Sequence, residues 1–405
     1  MGLLEKIEQY TNGGTDKVSS KTAYAKFIDL GFPSSKNEEW KYTSLKKIIA
    51  NNFEIENQGE EITDQEIKNN SLDLDNKVVF LNGELYQKPS ISGVKIEKYI
   101  DHSPKFNDAV TALNAALAKN GYSITVSENT IVDQPLGILF LTKNKSENLA
   151  QYRNEIIVKK NSSIKIIEQV KNLSSNLCFS NMFTNINLQE KAIIEFNKLQ
   201  NNNESQIIVD NTNINQEKGS NSTLNTLLFG GSFTRNNLNF YQNGERCESN
   251  MNGVVILDNL EFADNHTYMD HLKANCESNE LYKGIYLGKS KGVFNGKIMV
   301  RPDAQKINAF QANNNLLLSD DSSINSKPQL EIYADDVKCS HGCTIGQLDE
   351  DAIFYMNTRG ISKEDAKAIL TYAFASDALN KISIPYLYDV AKDLISKKLN
   401  VDLSF

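Results

Sequence analysis

The sequence predicts a mainly β protein, a solenoid of short strands with a helical unit at either end. Three observations predict it. Between about residues 122 and 345, short β-rich segments punctuated by Asn and Gly replace any helical period. They recur at a step of roughly 30 residues with two strands per step, as stacked coils do. One set starts near Ile164, Ile193, Leu224 and Val254, and an interleaved set centres on Ile156, Ile186, Ile214 and Phe240. Ile186-Asn187-Leu188 and Leu238-Asn239-Phe240 then place apolar side chains on one strand face and Asn on the other. An antiparallel sandwich with long hairpins is the competing architecture for this spacing.

In chain order, Ser20 is a candidate cap for a helix whose partial apolar face is Ala23, Ala25, Phe27 and Ile28, stopped by Gly31 and Pro33. A second helical stretch is expected around Asn37-Glu38-Glu39-Trp40-Lys41-Tyr42. Asn82-Gly83 between Val78-Val79-Phe80-Leu81 and Glu84-Leu85-Tyr86 is a strong hairpin signal. A short helix follows with Val110, Leu113 and Leu117 on one stripe, ended by Asn120-Gly121. Residues 1–121 therefore form a mostly helical region with a β-hairpin near 78–86, and residues 122–345 form the β core. Residues 346–405 form a C-terminal helical domain. Its first helix runs from Asp349 to Thr358 and closes at Gly360. Ser362-Lys363-Glu364-Asp365 makes a capping box before Ala366, Ile369, Leu370, Ala373 and Phe374. The last helix starts at Pro385 and carries Leu387, Val390, Ala391, Leu394, Ile395 and Leu399.

Composition narrows the function classes. The 405 residues carry a formal charge of −8, which opposes nucleic-acid binding because phosphate contacts need clustered Lys and Arg. The longest apolar runs, such as Leu136 to Leu141, fall far short of the ~18 to 20 residues that span a bilayer. Charges at Glu5, Lys6 and Glu8 interrupt any signal-peptide core. Five cysteines in so long a chain make no disulfide framework, and a reducing cytoplasm is the expected compartment.

The densest chemistry is Cys339-Ser340-His341-Gly342-Cys343. On a strand, residues 339, 341 and 343 share one face at about 6.5 to 7 Å per step. Two thiols and an imidazole suit soft-metal or iron–sulfur chemistry, yet one ion reaches all three only if the strand bends, for instance at Gly342. The plainer alternative makes both cysteines small buried apolar groups and His341 a hydrogen-bonded rim residue. Asp264, His266, Asp270 and His271 read as a hydrogen-bonded strand corner rather than a metal site. Cys178, Cys247 and Cys276 read as core thiols. Gly284-Ile285-Tyr286-Leu287-Gly288-Lys289-Ser290 has one residue too few between its glycines for a phosphate loop and is read as strand and turn. The overlapping Gly288-Lys289-Ser290-Lys291-Gly292 matches Gly-x-Ser-x-Gly in letters but belongs to that strand and turn with no helix after it, so it is no hydrolase elbow, and the chain contains no dinucleotide fingerprint.

The stretch from Asp270 to Gly360 closely resembles the SufB/SufD family of iron–sulfur cluster assembly proteins. Gly31-Phe32-Pro33, Glu38-Glu39-Trp40-Lys41-Tyr42-Thr43, Phe80-Leu81-Asn82-Gly83 and Thr111-Ala112-Leu113-Asn114 extend the likeness over nearly the whole chain. The Cys-Ser-His-Gly form of the terminal motif and the modest length favour the SufD branch. The resemblance implies a right-handed parallel β-helix between helical regions, in a complex with the scaffold SufB and the ATPase SufC. It implies a transient iron or iron–sulfur cluster at the SufB interface, with no stably bound cofactor. There His341 matches a histidine implicated in cluster formation and Cys339 matches its companion. Cys343 stands where the family usually has Ala, as an added ligand or as a small buried replacement. The C-terminal helices are the expected SufC surface, through Asp349, Phe354, Tyr355, Arg359, Ala366, Ile369, Leu370 and Phe374. Whether the isolated chain pairs with itself stays open. Two other readings compete. One is a purely structural partner of an ABC-type ATPase with no metal role. The other is a β-helix carbohydrate-active enzyme, which needs paired acids; Asp335-Asp336 and Asp320-Asp321 are the tight pairs, and neighbours on a strand face opposite ways.

Overall fold

A computed structural model of the chain describes residues 2–14, 18–45, 48–50, 53–55, 59–99, 106 and 108–401. Two sheets form a parallel β-solenoid. Its strands are β1 Asn76–Leu81, β2 Glu84–Gln87, β3 Val94–Lys98, β4 Tyr122–Val126, β5 Leu136–Thr142, β6 Asn148–Val158, β7 Ser163–Asn172, β8 Cys178–Leu188, β9 Ile193–Gln200 and β10 Gln206–Gln216. They continue as β11 Asn221–Leu228, β12 Phe233–Gln242, β13 Glu248–Leu257, β14 Phe262–His271, β15 Glu277–Tyr286, β16 Lys291–Val300, β17 Ile307–Leu317, β18 Ser323–Ile332 and β19 Val337–Gly346. The first sheet runs β19-β17-β15-β13-β11-β9-β7-β5-β1-β2 and the second β18-β16-β14-β12-β10-β8-β6-β4-β3. Pairing is parallel throughout except at β1–β2 and β3–β4, so the sandwich alternative fails.

The interleaved set was read in true register: Ile156, Ile186, Ile214 and Phe240 are direct partners on β6, β8, β10 and β12. All four are buried, because the lumen needs an apolar group at the same height in each coil. The other set names the right strands but drifts along them. Ile193 pairs with Ser163 and is half exposed, while Ile194 is the inward residue beside Ile164. Outside the lumen, stacked amides add rungs: Asn252 Nδ2 donates to Asn225 Oδ1 at 2.9 Å and Asn225 Nδ2 to Asn197 Oδ1 at 2.7 Å. Large lumen groups need glycine opposite. A Cβ on Gly253 would lie 2.2 Å from the Tyr282 ring.

The boundary near 122 cuts through the solenoid. The Asn82-Gly83 hairpin forms as expected, with positive φ at both turn residues, but β1 pairs in parallel with β5 and belongs to the first coil. The antiparallel strands β2 and β3 close that end of the two sheets.

Helices cover both flanks. At the N-terminus lie α1 Leu3–Gly14, α2 Val18–Leu30, α3 Asp64–Asn70 and α4 Ala109–Leu117. Ser20 lies inside α2 and does not cap it; Ala23 and Phe27 are buried, while Ala25 and Ile28 are exposed. Gly31 ends α2 at φ 65°. The stretch around Trp40 is only a 3₁₀ turn, Glu38–Trp40. Asp108 caps α4, which ends at Leu117, before Asn120-Gly121. Helices α1, α2 and α4 pack on the outer face of the second sheet at Leu149, Phe179, Ile207 and Val209, whereas Ile67 of α3 packs against Leu139 and Leu141 of β5 in the first.

The C-terminal helices are α5 Glu350–Thr358, α6 Lys363–Leu379 and α7 Pro385–Leu399. Ser362 caps α6 by accepting from the Asp365 amide, while its hydroxyl donates to the Asp365 carboxylate, so the box is only half made. Of the predicted α6 stripe only Ala366 is fully buried. Ala368, Thr371, Ala375, Ala378 and Leu379 are buried, whereas Ile369, Leu370 and Phe374 are half-buried and Ala373 is exposed. Small residues let the helix approach the sheet closely. In α7 the buried residues are Leu387, Ala391 and Ile395. Together α6 and α7 cover Ile167, Leu199, Leu227, Val254, Ile256 and Ile285 on the first sheet.

Candidate functional site

Among the described residues nothing covers the far end of the solenoid. Strands β18 and β19 terminate their sheets, and nearly every residue of both is exposed or half-exposed. Apolar side chains stand open around this end, with Tyr333 61% and Ile345 50% exposed. Unpaired edges and exposed apolar groups together invite another chain.

Strand β19 carries the sulfur and imidazole groups. Cys339 pairs with Ala309, His341 with Gln311 and Cys343 with Asn313, so all three sit on inward-facing positions of the last, uncovered half-coil. Cys339 is half-buried against the lumen core, and burial pushes its thiol up. His341 is exposed. The Cys343 thiol is exposed, donates to Ser326 Oγ at 3.1 Å and lies 4.0 Å from Asn313 Oδ1. Gly342 pairs regularly with Ala312, so the bend that would gather three ligands is absent. Among the described residues no group of three or more His, Cys, Asp or Glu is placed to hold a metal.

The expected partner residues of the C-terminal domain divide. Asp349 is the N-cap of α5, accepting from the amides of Asp351 and Ala352. Phe354 is 69% and Tyr355 59% exposed, and the Arg359 guanidinium lies over the Tyr355 ring at 5.2 Å. Ile369, Leu370 and Phe374 keep part of their surface open, with the Lys283 ammonium 4.5 Å from the Phe374 ring centroid. Ala366 is a correction: it is fully buried and has no surface to offer. Asp335-Asp336 and Asp320-Asp321 lie in exposed turns, not on strands.

The Asp264 cluster is a docking clamp that sequence reasoning did not foresee. Arg235 Nη1 pairs with Asp264 Oδ2 at 2.5 Å, and the guanidinium lies 3.8 Å from the Trp40 ring centroid. The Thr43 hydroxyl also donates to Asp264. His266 sits between Asp264, at 2.9 Å, and Glu39, at 3.4 Å. That hydrogen bond is the main cause holding the Glu39 carboxyl below its usual range. Asp270 instead pairs with Arg301, and His271 is buried in the lumen against Ser278, where burial lowers it to about 4. Cys178, Cys247 and Cys276 are buried, as expected.

The family model for the SUF-system iron–sulfur cluster assembly SufBD core domain matches residues 140–374, and that for the SufBD N-terminal region matches residues 15–93. The iron–sulfur cluster assembly protein SufD of Escherichia coli is 32% identical over 364 residues, 86% of this chain and 85% of its own length. A SufBD family protein of Synechocystis is 28% identical over 400 residues, 91% of this chain and 87% of its own. Bacillus subtilis SufD is 24% identical over 311 residues, 75% and 67% of the two chains.

Proposed function

The chain belongs to the SufBD family as a SufD-type iron–sulfur cluster assembly protein of the SUF system, and we propose that it is a non-catalytic subunit joining a SufB-like scaffold through the bare last coil. In that joint His341 and Cys339 meet nascent iron–sulfur cargo, and the outer surface of α5 and α6 receives a SufC-like ATPase. The complex works in the cytoplasm, with ATP hydrolysed by the partner.

One observation carries the reading. The solenoid leaves uncovered the very half-coil that bears Cys339, His341 and Cys343. A neutral imidazole is a good iron ligand. One imidazole and one half-buried thiol are too few for a closed site, so a partner strand laid against β19 would supply the remaining ligands. Cys343 plays no part in this reading, because its thiol already has a partner in Ser326.

The test is anaerobic co-purification of the three subunits, with His341→Ala beside wild type. His341→Ala should leave the complex intact and lower its iron and sulfide content several-fold. Equal iron and sulfide in the two complexes would remove the metal role and leave a structural partner of the ATPase.

A further inference from the structure

Beneath His341 the lumen holds an acid to which the edge chemistry gives no role. Met251, Glu280, Gln311 and His341 are successive partners on β13, β15, β17 and β19, a column rising from the apolar core to the bare end. Gln311 Nε2 donates to Glu280 Oε2 at 2.7 Å. Glu280 is 3% and Gln311 2% exposed, yet Gln311 Oε1 has no hydrogen-bond partner. Space for the pair comes from β16, where a Cβ on Gly296 would lie 2.3 Å from Gln311 Nε2. Thr267, on the opposite sheet, reaches the Glu280 carboxyl. The Thr267 hydroxyl supplies a donor to the carboxyl, so the acceptor left without a donor or a cation is the amide oxygen of Gln311.

We propose that Glu280 and the amide oxygen of Gln311 form an inner station for a divalent metal cation passing to or from His341. This rests on the reading of His341 as an iron contact. A carboxylate and an amide oxygen with an imidazole one strand above suit ferrous iron or Mn²⁺ better than a soft ion. A single charged ligand gives weak binding, with a Kd on the order of 10⁻⁴ to 10⁻³ M by analogy with sparsely charged oxygen sites. Weak binding suits cargo in transit.

The experiment titrates the full-length chain with Mn²⁺ under anaerobic conditions and follows the loss of the free-ion electron paramagnetic resonance signal. Wild type should show a weak site, and Glu280→Gln should weaken it about ten-fold or more while the chain melts at the same or a higher temperature. Gln311→Met, which keeps the bulk and removes the oxygen, should weaken it as well and serves if Glu280→Gln misfolds. Wild-type Mn²⁺ affinity in both variants, or no Mn²⁺ binding by wild type, overturns the station. If Glu280→Gln loses Mn²⁺ while His341→Ala assembles clusters normally, the station stands and the reading of His341 falls.

Discussion

Arg235 lays its guanidinium 3.8 Å from the Trp40 ring centroid while pairing with Asp264, and by this contact the N-terminal region is clamped to the solenoid. Both residues are buried, so the clamp is shielded from solvent and salt. Glu38 extends it along the sheet to Lys327 on β18 at 2.9 Å. Trp40→Ala removes the ring's burial and leaves Arg235 without its aromatic partner. The expected cost is about 3 to 5 kcal/mol. Denaturant unfolding followed by circular dichroism measures it, because Trp40 is the sole tryptophan of the chain. A loss below about 1 kcal/mol would show that the clamp contributes little to stability.

This clamp also marks where the sequence stops being readable. Thr43 and Asp264 are 221 residues apart, and no local pattern ties a Glu-Glu-Trp turn to a strand in another region. The lumen was legible because each coil repeats one demand at one height, which is why Ile156, Ile186, Ile214 and Phe240 fall into register. Corner lengths vary, so counting from strand starts slipped at Ile193. Helix α6 was misjudged for a different reason. Hydrophobicity favoured Ile369, Leu370 and Phe374, but close packing on a sheet selects Ala375 and Ala378. The Cys339 to Cys343 motif was visible at once; that no further coil covers it is a property of the whole solenoid.

Glu280 should leave a signature in the pH dependence of stability. Its folded pKa, raised to about 7 by burial, exceeds the unfolded value near 4.3. The folded state therefore holds the proton more tightly, and stability falls as pH rises between those values and then levels off. The full effect is about 3 to 4 kcal/mol. Glu280→Gln cancels it, so the variant's stability relative to wild type should climb from pH 4.5 to pH 7.5. Parallel curves for the two proteins across that range would show that Glu280 titrates normally.

Inside the middle coils, Lys198 is paired with Asp210 at 2.6 Å and Glu168 at 3.3 Å, all three almost wholly buried. The Tyr122 hydroxyl donates to Glu168 at 2.9 Å. Burial would drive the ammonium to lose its proton, but the two carboxylates outweigh it and keep Lys198 charged. Lys198→Met leaves two buried carboxylates unpaired and should cost about 3 to 5 kcal/mol. Adding Glu168→Gln and Asp210→Asn should recover much of that loss, because the charges needing a partner are gone. Equilibrium unfolding of the single and triple variants decides the matter, and a triple variant no more stable than the single would refute this account.

The ATPase surface is better probed by point substitution than by truncation. Removing everything after Gly346 would strip α6 and α7 from Ile167, Leu199, Leu227, Val254 and Ile256, baring a broad apolar sheet face that favours aggregation. Lost binding would then say nothing about the surface itself. Phe354 and Tyr355 project from α5 at 69% and 59% exposure, so replacing them disturbs little inside the fold. Phe354→Asp with Tyr355→Ser should change stability by no more than about 0.5 kcal/mol, as surface substitutions usually do. If these rings anchor the partner, the pair should weaken binding of a SufC-like ATPase at least about 30-fold, the scale expected for exposed aromatic anchors at an interface. Binding measured by calorimetry against the wild-type chain reads this directly. Unchanged affinity would move the ATPase off α5, toward the half-open Ile369, Leu370 and Phe374 of α6.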